Sequence, residues 1–381
     1  MAFASGFPFG MIQELVPLYL RSEGLGLEAI GLASLIGLPW SIKALWAPLV
    51  DRVGSLKGWM ILGLAICTLG SLMLPWVPVH SRLLMGILLG IAVGSATQDI
   101  AIDGTLATAL PAEEVARANG LRVAAYRAAM ALTGGAAAIL GDHLGWPLAF
   151  ATMAGVQGLL MLAQGLCSLR GGAPQREPLG DWFRALGAWA AEPAAWGLFA
   201  MALFFKLGDA AMAPMVKTFW LDYGMSVTET AVFSTTFGAL LTVIGAIFGG
   251  DLMSRLGPRL GILLLGGAQA LSNLGYALAS RGGGVPAIYS ASVVESFSAG
   301  MGTAALLGSF ALAARGSQAA TRFAILTAIV GFTRSLAGAL SGSAVEQWGY
   351  TGWFFLTFLL SLPGLVLAIW AGGRLLPPAK A

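Results

Sequence analysis

Apolar residues run along this chain in stretches of about twenty, each closed by glycine, proline or charged residues. About 20 mostly apolar residues in a helix are enough to cross the hydrocarbon core of a bilayer. Twelve such spans are legible, at 2–20, 28–50, 58–76, 82–109, 116–140, 146–169, 194–219, 228–250, 259–280, 286–314, 318–344 and 350–373. Their connections are short except for 170–193, a polar segment that follows the sixth span. The pattern predicts a first six-helix bundle at 1–169, a linker at 170–193 and a second six-helix bundle at 194–381.

Composition supports lipid as the solvent. Of the 381 residues, 57% are hydrophobic and 10% charged, and the mean hydropathy is +0.81. A soluble domain carries about 25% charge, so this chain has too little to cover itself in water. Cys67 and Cys167 both sit in apolar runs, which excludes a disulfide framework or a cysteine-rich metal site. With His80 and His143 the sole histidines, no histidine metal centre is expected, and no metal or cofactor beyond a proton gradient. The G-x-x-x-x-G-K-[ST] string is absent, so ATP is not hydrolysed by that route. The net charge of +3 implies no nucleic-acid partner, because the basic residues lie between apolar runs.

Those basic residues set the orientation. With both termini in the cytoplasm, the inner connections hold Arg52, Lys57, Arg117, Arg170, Arg176, Arg184, Arg255, Arg259, Arg315, Arg322, Arg374 and Lys380. The outer ones hold Arg21, Arg82 and Arg281. Positive charge favours the inside, so an even number of spans with both ends and the linker cytoplasmic is expected. No cleavable signal peptide is legible at the start.

The halves read as copies. Leu18–Ala29 (L-Y-L-R-S-E-G-L-G-L-E-A) overlays Thr218–Glu229 (T-F-W-L-D-Y-G-M-S-V-T-E). A-P-L-V-D-R-V-G at 47–54 overlays G-D-L-M-S-R-L-G at 250–257, D-H-L-G-W at 142–146 overlays E-Q-W-G-Y at 346–350, and Arg127 overlays Arg334. Two six-helix halves repeated in parallel describe the major facilitator architecture: an all-α membrane protein of twelve helices in two bundles with pseudo-two-fold symmetry. The turn after the second span then offers Asp51 and Arg52 as gating residues, with Arg255 their counterpart and Ser254 in place of the acid. An ordinary positive-inside loop is the alternative.

Charges inside a bilayer cost at least ~2.5 kcal/mol each and face cavities or partners. Nine are read as lying well inside: Glu14, Lys43, Asp99, Asp103, Arg127, Lys206, Asp209, Glu295 and Arg334. None falls in spans 3, 6, 9 or 12, the lipid-facing set of this architecture. Asp99 and Asp103 stand four apart, on one helical face, where mutual repulsion suits them to proton coupling; the alternative is neutralisation by Arg127 or Lys206. Gln98 could hydrogen-bond substrate or the pair. Lys206 and Asp209, three apart, either contact solute or neutralise each other. Arg127 and Arg334 could clamp an anion bidentately or form standing ion pairs. Glu295, Glu14 and Lys43 complete the candidate solute contacts, although Lys43 could instead snorkel. Of the neighbouring aromatics Trp40, Tyr126, Phe204, Phe205, Phe219 and Trp220, Tyr126 is the one expected to stack on solute.

Five blocks resemble a known family. S-A-T-Q-D-I-A-I-D (95–103), G-L-P-W-S-I-K-A-L-W-A-P-L-V-D-R (37–52), F-K-L-G-D-A (205–210), E-S-F-S-A-G-M-G-T-A-A (295–305) and A-T-R-F-A-I-L-T (320–327) are similar to AmpG-type muropeptide permeases. That resemblance implies a proton-driven importer of the bacterial inner membrane whose type solute is an anhydro-muropeptide. It implies Asp99 and Asp103 as essential acids, with Lys43, Lys206, Asp209 and Glu295 as cavity groups. The chain departs from the family at G-T-L-A-T (104–108), where an aromatic, an arginine and an acid are common, and many muropeptide permeases have extra helices.

The expected function is thus a proton-coupled symporter working by alternating access on a polar or amphipathic small solute. Uptake of a siderophore or another amphipathic acid is the alternative. A membrane enzyme or a receptor is disfavoured, since neither explains the repeat together with the placement of charge. The expected partners are solute, protons and lipid, and a monomer is expected.

Overall fold

The computed structural model describes residues 1–109, 112–167, 179–313 and 319–374, with side chains at 51–52 and 106–124 among those left undescribed. Each apolar run becomes a helix. We number them α1 (residues 2–22), α2 (Leu27–Leu45), α3 (Leu56–Trp76), α4 (Arg82–Ala109), α5 (Ala112–Leu144) and α6 (Trp146–Leu166). In the second half come α7 (Ala195–Asp222), α8 (Val227–Gly257), α9 (Arg259–Ala279), α10 (Gly284–Ala313), α11 (residues 319–348) and α12 (residues 350–374). The segment between α6 and α7 is not wholly irregular. Leu179–Ala190 is a further helix whose Trp189 is buried against Phe199, with Arg322 over its ring. Its alternation of Trp, Phe and Leu with polar residues makes one apolar face, which the reading of 170–193 as a plain polar connection overlooked.

The outward surface is made for lipid: Leu69, Ile247 and Leu166 stand open to the surroundings, where water would penalise them. The halves are copies in detail. Positive φ recurs in repeat-related turns at Gly24 and Gly224, Gly54 and Gly257, Gly145 and Gly349, a conformation that a Cβ opposes. Gly257 and Gly349 are the breaks that separate α8 from α9 and α11 from α12. Aromatic clusters repeat as well. Tyr19 meets Trp146 and Phe150 at centroid distances of 5.1 and 5.0 Å, and Phe219 meets Tyr350 and Phe354 at 5.2 and 5.3 Å. In the near-perpendicular pairs, Tyr19 with Phe150 and Phe219 with Phe354, ring edges meet ring faces, the favoured geometry. Phe219 and Trp220 are therefore core residues of the second half.

A smaller correspondence runs between α3 and α4 and between α9 and α10. A Cβ on Gly63 would meet the Gln98 Cβ at 2.9 Å, and Gly302 faces the Gln269 side chain in the same tight way. Gln98 and Gln269 are both buried, and neither amide has a hydrogen-bond partner among the described residues. The glutamine sits on α4 in the first half and on α9 in the second.

Two compact units result, and they differ from a simple cut at the linker. One comprises residues 1–25, 36–176 and 224–236; the other comprises 26–35, 177–223 and 237–381. The first part of α8 thus packs with the first bundle and the first part of α2 with the second. Small residues allow this: Gly134 and Gly135 of α5 admit Thr235 and Thr236 of α8, while Gly342 of α11 admits the backbone of Leu27 and Glu28.

Candidate functional site

In the first unit one lysine stands between two carboxylates. Lys43 Nζ donates to Asp99 Oδ2 at 2.7 Å and to Asp103 Oδ2 at 3.3 Å. The four-residue spacing on α4 puts both acids on one face, as the sequence indicated, and a second donor, Ser5 Oγ of α1, bonds to Asp99 Oδ1. The α2 helix is irregular here. Regular turns end at Ile42, and Lys43–Leu45 forms a tighter 3-10 turn followed by Pro48. Such mid-helix departures recur at functional hinges. Trp46 Nε1, donating to Thr97 Oγ1 at 3.1 Å, fastens the same stretch to α4.

The two acids are not equivalent. Asp99 has 12% of its side chain exposed and receives Ser5 and Lys43, whereas Asp103 has 40% exposed. Lys43 neither snorkels nor is free. Two direct ionic contacts hold it, which answers both acids with a group that sequence reasoning had placed apart from them. The neutralising partner is neither Arg127 nor Lys206, the two candidates weighed from sequence. Arg127 is exposed, and Lys206 is engaged in the second unit.

Beside this cluster lies a row of half-buried rings. Phe9 is 4.9 Å from Trp40, edge to face, and 5.6 Å from Tyr126. Phe9 is one helical turn from Ser5 and Trp40 is one turn from Lys43, so charge and aromatic surface share one side of α1 and α2. Glu14 lies in the π-helical segment Met11–Leu15, its Cβ against Gly134 of α5. Gln98 does not join the cluster. It points at Gly63 of α3, a face apart from that of Asp99 and Asp103.

The second unit holds the other cluster. Lys206 Nζ donates to Asp209 Oδ2 at 3.2 Å and to the Ala299 carbonyl at 3.3 Å. Lys206 also occupies an interruption, since α7 breaks between Phe204 and Leu207. Glu295, on α10, lies within electrostatic reach of both Asp209 and Lys206. Arg334 is exposed on α11.

Of the gating candidates, the side chains of Asp51 and Arg52 lie outside the described residues. Arg255 pairs with Asp251 at 3.0 Å on the surface. The second copy therefore does have an acid, one helical turn before the arginine, not at Ser254. Sequence reasoning missed three residues: Ser5, Phe9 and Lys217. Lys217 is buried on α7, at 8% exposure. Its position near the end of the seventh span hid it, although it falls inside that span. No cluster of metal-ligating side chains occurs among the described residues.

A family model for the Major Facilitator Superfamily matches residues 1–282. The anhydromuropeptide permease of Escherichia coli (strain K12) is 30% identical over 395 residues, covering 97% of this chain and 78% of that protein. Putative transporter AmpG 4 of Rickettsia conorii (strain ATCC VR-613 / Malish 7) is 27% identical, covering 97% and 94%. Among solved structures, a bacterial homolog of the human lysosomal transporter Spinster overlays with a TM-score of 0.81 at 17% identity, covering 98% of this chain and 95% of that one. A D-xylose–proton symporter gives 0.76 at 11% identity, covering 100% and 96%. At such identities the two structures speak for the fold alone. The permease and the family model carry the family: the chain is a multi-pass membrane transporter belonging to the AmpG-like permeases of the Major Facilitator Superfamily.

Proposed function

We propose that this transporter imports anhydro-muropeptides across the bacterial inner membrane by proton symport, with both termini cytoplasmic. The observation that carries the reading is the shared lysine, with Lys43 held between the two acids of α4. Two carboxylates one helical turn apart share this ammonium, and in a low-dielectric setting their mutual repulsion favours the protonated form of one of them. Asp99 is fixed by two donors. Asp103 is the more open acid and the one that accepts the proton. Once Asp103 is neutral, Lys43 keeps its bond to Asp99 and gains a hydrogen-bonding position to offer a solute carboxylate, which couples proton and solute in one site. The anhydromuropeptide transport of the Escherichia coli relative, together with a polar face flanked by Phe9, Trp40 and Tyr126, supports a solute with both charged and apolar parts. Arg127 and Glu14 are the remaining candidate contacts of the first unit in this reading, and Arg334, Lys206, Asp209 and Glu295 are those that the second unit offers. Alternating access follows from linkage: protonation and solute each favour the state in which the other binds best.

The test is uptake of radiolabelled anhydro-muropeptide into proteoliposomes with an imposed pH gradient, set against a siderophore probe. Gradient-driven accumulation of the muropeptide alone is expected. Asp103→Asn should abolish gradient dependence while leaving downhill exchange of solute measurable. Accumulation that survives in both Asp103→Asn and Asp99→Asn removes the proton role from this pair, and accumulation of the siderophore alone overturns the solute.

A further inference from the structure

Of the five blocks that resemble the AmpG-type permeases, A-T-R-F-A-I-L-T at 320–327 alone supplies no residue to either charged cluster. It opens α11, at the helix ends that the basic-residue pattern places inside, and Arg322 is its one charge. Lys43, Lys206 and Arg255 each contact a carboxylate, and Arg322, among the described residues, contacts none. Its guanidinium carbon instead lies 5.5 Å from the ring centroid of Trp189, on the linker helix Leu179–Ala190. Nε is enclosed without a hydrogen-bond partner, whereas the terminal nitrogens, which also find no acceptor among the described residues, are not enclosed. A tryptophan face attracts a cation, but it offers no oxygen, so the N–H donors of the guanidinium stay unanswered.

The surroundings of this cation are apolar. Trp189 is buried and meets Phe199 edge to face at 5.0 Å, and Phe199 meets Trp196 at 5.8 Å. Leu198, Leu326 and Ala368 join Trp189 in one core, which gathers the inner ends of α7, α11 and α12 around the linker helix. The same ends of α7 and α12 also expose apolar side chains: Trp196 is 65% exposed, and Ile369 is open as well. A tryptophan open at the end of a span marks the interface where lipid headgroups lie. Packing alone explains Trp189 and Phe199. It does not explain an arginine at 322, because an apolar side chain would anchor the linker helix without desolvating a charge.

We infer that Arg322 holds the headgroup of an anionic phospholipid, with phosphate oxygens on its terminal nitrogens and acyl chains along the exposed ends of α7 and α12. Charge and shape select this occupant. The two free oxygens of a phosphodiester match the guanidinium fork. A zwitterionic headgroup brings an ammonium beside a cation that has no acid to offset it, whereas phosphatidylglycerol brings only hydroxyls. A soluble phosphate satisfies the same donors but leaves the apolar rim uncovered. Trp189 lies against the guanidinium, so a bound lipid braces the linker helix on α11.

The test does not depend on the solute. Full-length protein is stripped of lipid in detergent, and binding of phosphatidylglycerol and phosphatidylethanolamine is measured by native mass spectrometry, with inorganic phosphate as a competitor. The tightest phosphatidylglycerol site of the parent should exceed its phosphatidylethanolamine counterpart about five- to tenfold in affinity. Arg322→Gln should lower phosphatidylglycerol affinity about five- to tenfold, the loss expected when one charge-assisted pair is removed, and leave phosphatidylethanolamine binding unchanged. Arg255→Gln, which removes an arginine that already has its acid, should match the parent. Should Arg322→Gln not fold, Arg322→Lys keeps the charge without the fork and should weaken phosphatidylglycerol binding about threefold. Equal affinity for the two lipids in the parent overturns the site, as does parent-like phosphatidylglycerol binding in Arg322→Gln, or in Arg322→Lys where that stands in for it. An equal loss for both lipids reads as damage to the linker helix and overturns it too. Displacement of phosphatidylglycerol by millimolar inorganic phosphate assigns Arg322 to a soluble anion and overturns the lipid.

Discussion

The two charged clusters have the same composition, one lysine and two carboxylates, yet they are built differently. In the first unit Lys43 touches both acids, and these lie one turn apart on α4. In the second, Lys206 touches Asp209 on its own helix and Glu295 comes from α10 without a direct bond. The relation is closer than the residue types suggest. Ser5 and Lys206 are 201 residues apart, and their acceptors, Asp99 and the Ala299 carbonyl, are 200 apart. The first helix of each half thus reaches the same place on the fourth. Duplication preserved the contact and moved the charge: the acid sits on α4 in one half, and the base sits on α7 in the other. Both lysines stand where their helices lose regularity. The difference is that one cluster shares its lysine between two acids of another helix, while the other has its lysine tied to a neighbour three residues away.

The comparison can be broken most directly at the lysines. Lys43→Met leaves Asp99 and Asp103 facing each other without their cation, and should cost about 2 kcal/mol, the buried-pair penalty discounted for partial exposure, and abolish uptake. Thermal unfolding in detergent and proteoliposome uptake measure both, and Lys43→Met with Asp99→Asn should recover stability without transport. Lys206→Met should weaken solute binding and leave gradient dependence in place; loss of the gradient response there, with retention in Lys43→Met, would invert the assignment of roles. Ser5→Ala sharpens the contrast between the acids. It should destabilise by about 1 kcal/mol, read as a lower melting point in detergent, and leave uptake measurable, whereas Asp103→Asn should remove gradient-driven uptake. The smallest effect belongs to Arg255→Ala, whose exposed partner Asp251 contributes less than about 0.5 kcal/mol; a melting point within a degree of the parent is expected.

The sequence made the spans legible because a bilayer imposes one length and one polarity on every helix, a constraint strong enough to place α1 to α12, although α8 runs seven residues past its expected end and α2 stops five short. The linker helix Leu179–Ala190 escaped, since a short amphipathic helix has too few apolar positions to register as a span and too many charges to look buried. The four-residue spacing of Asp99 and Asp103 gave the acid pair. What joins them, Lys43, was visible as a charge in a span, but the partner of a side chain on another helix depends on packing and helix irregularity that periodicity does not encode. Gln98 was misdirected for a related reason. Adjacency to Asp99 along the chain turns a side chain by about 100° around the helix, so it faces α3. Ser5 was hidden because a serine among glycines and phenylalanines carries no signal until its acceptor is known.

The exchanged glutamine and glycine carry a consequence for how such halves diverge. At the crossing of α3 with α4 the large residue is on α4, and at the crossing of α9 with α10 it is on α9, although both crossings descend from one design. Each crossing has room for a single glutamine. Changing either partner alone would have set two long side chains in one space or left a hollow about the size of an amide. The side chain that fills the crossing thus comes from opposite helices in the two halves. The first half does not simply accept the reverse arrangement: a Cβ at position 63 meets the Gly94 carbonyl oxygen at 2.5 Å as well as the Gln98 side chain, so Gly63→Gln together with Gln98→Gly should still destabilise.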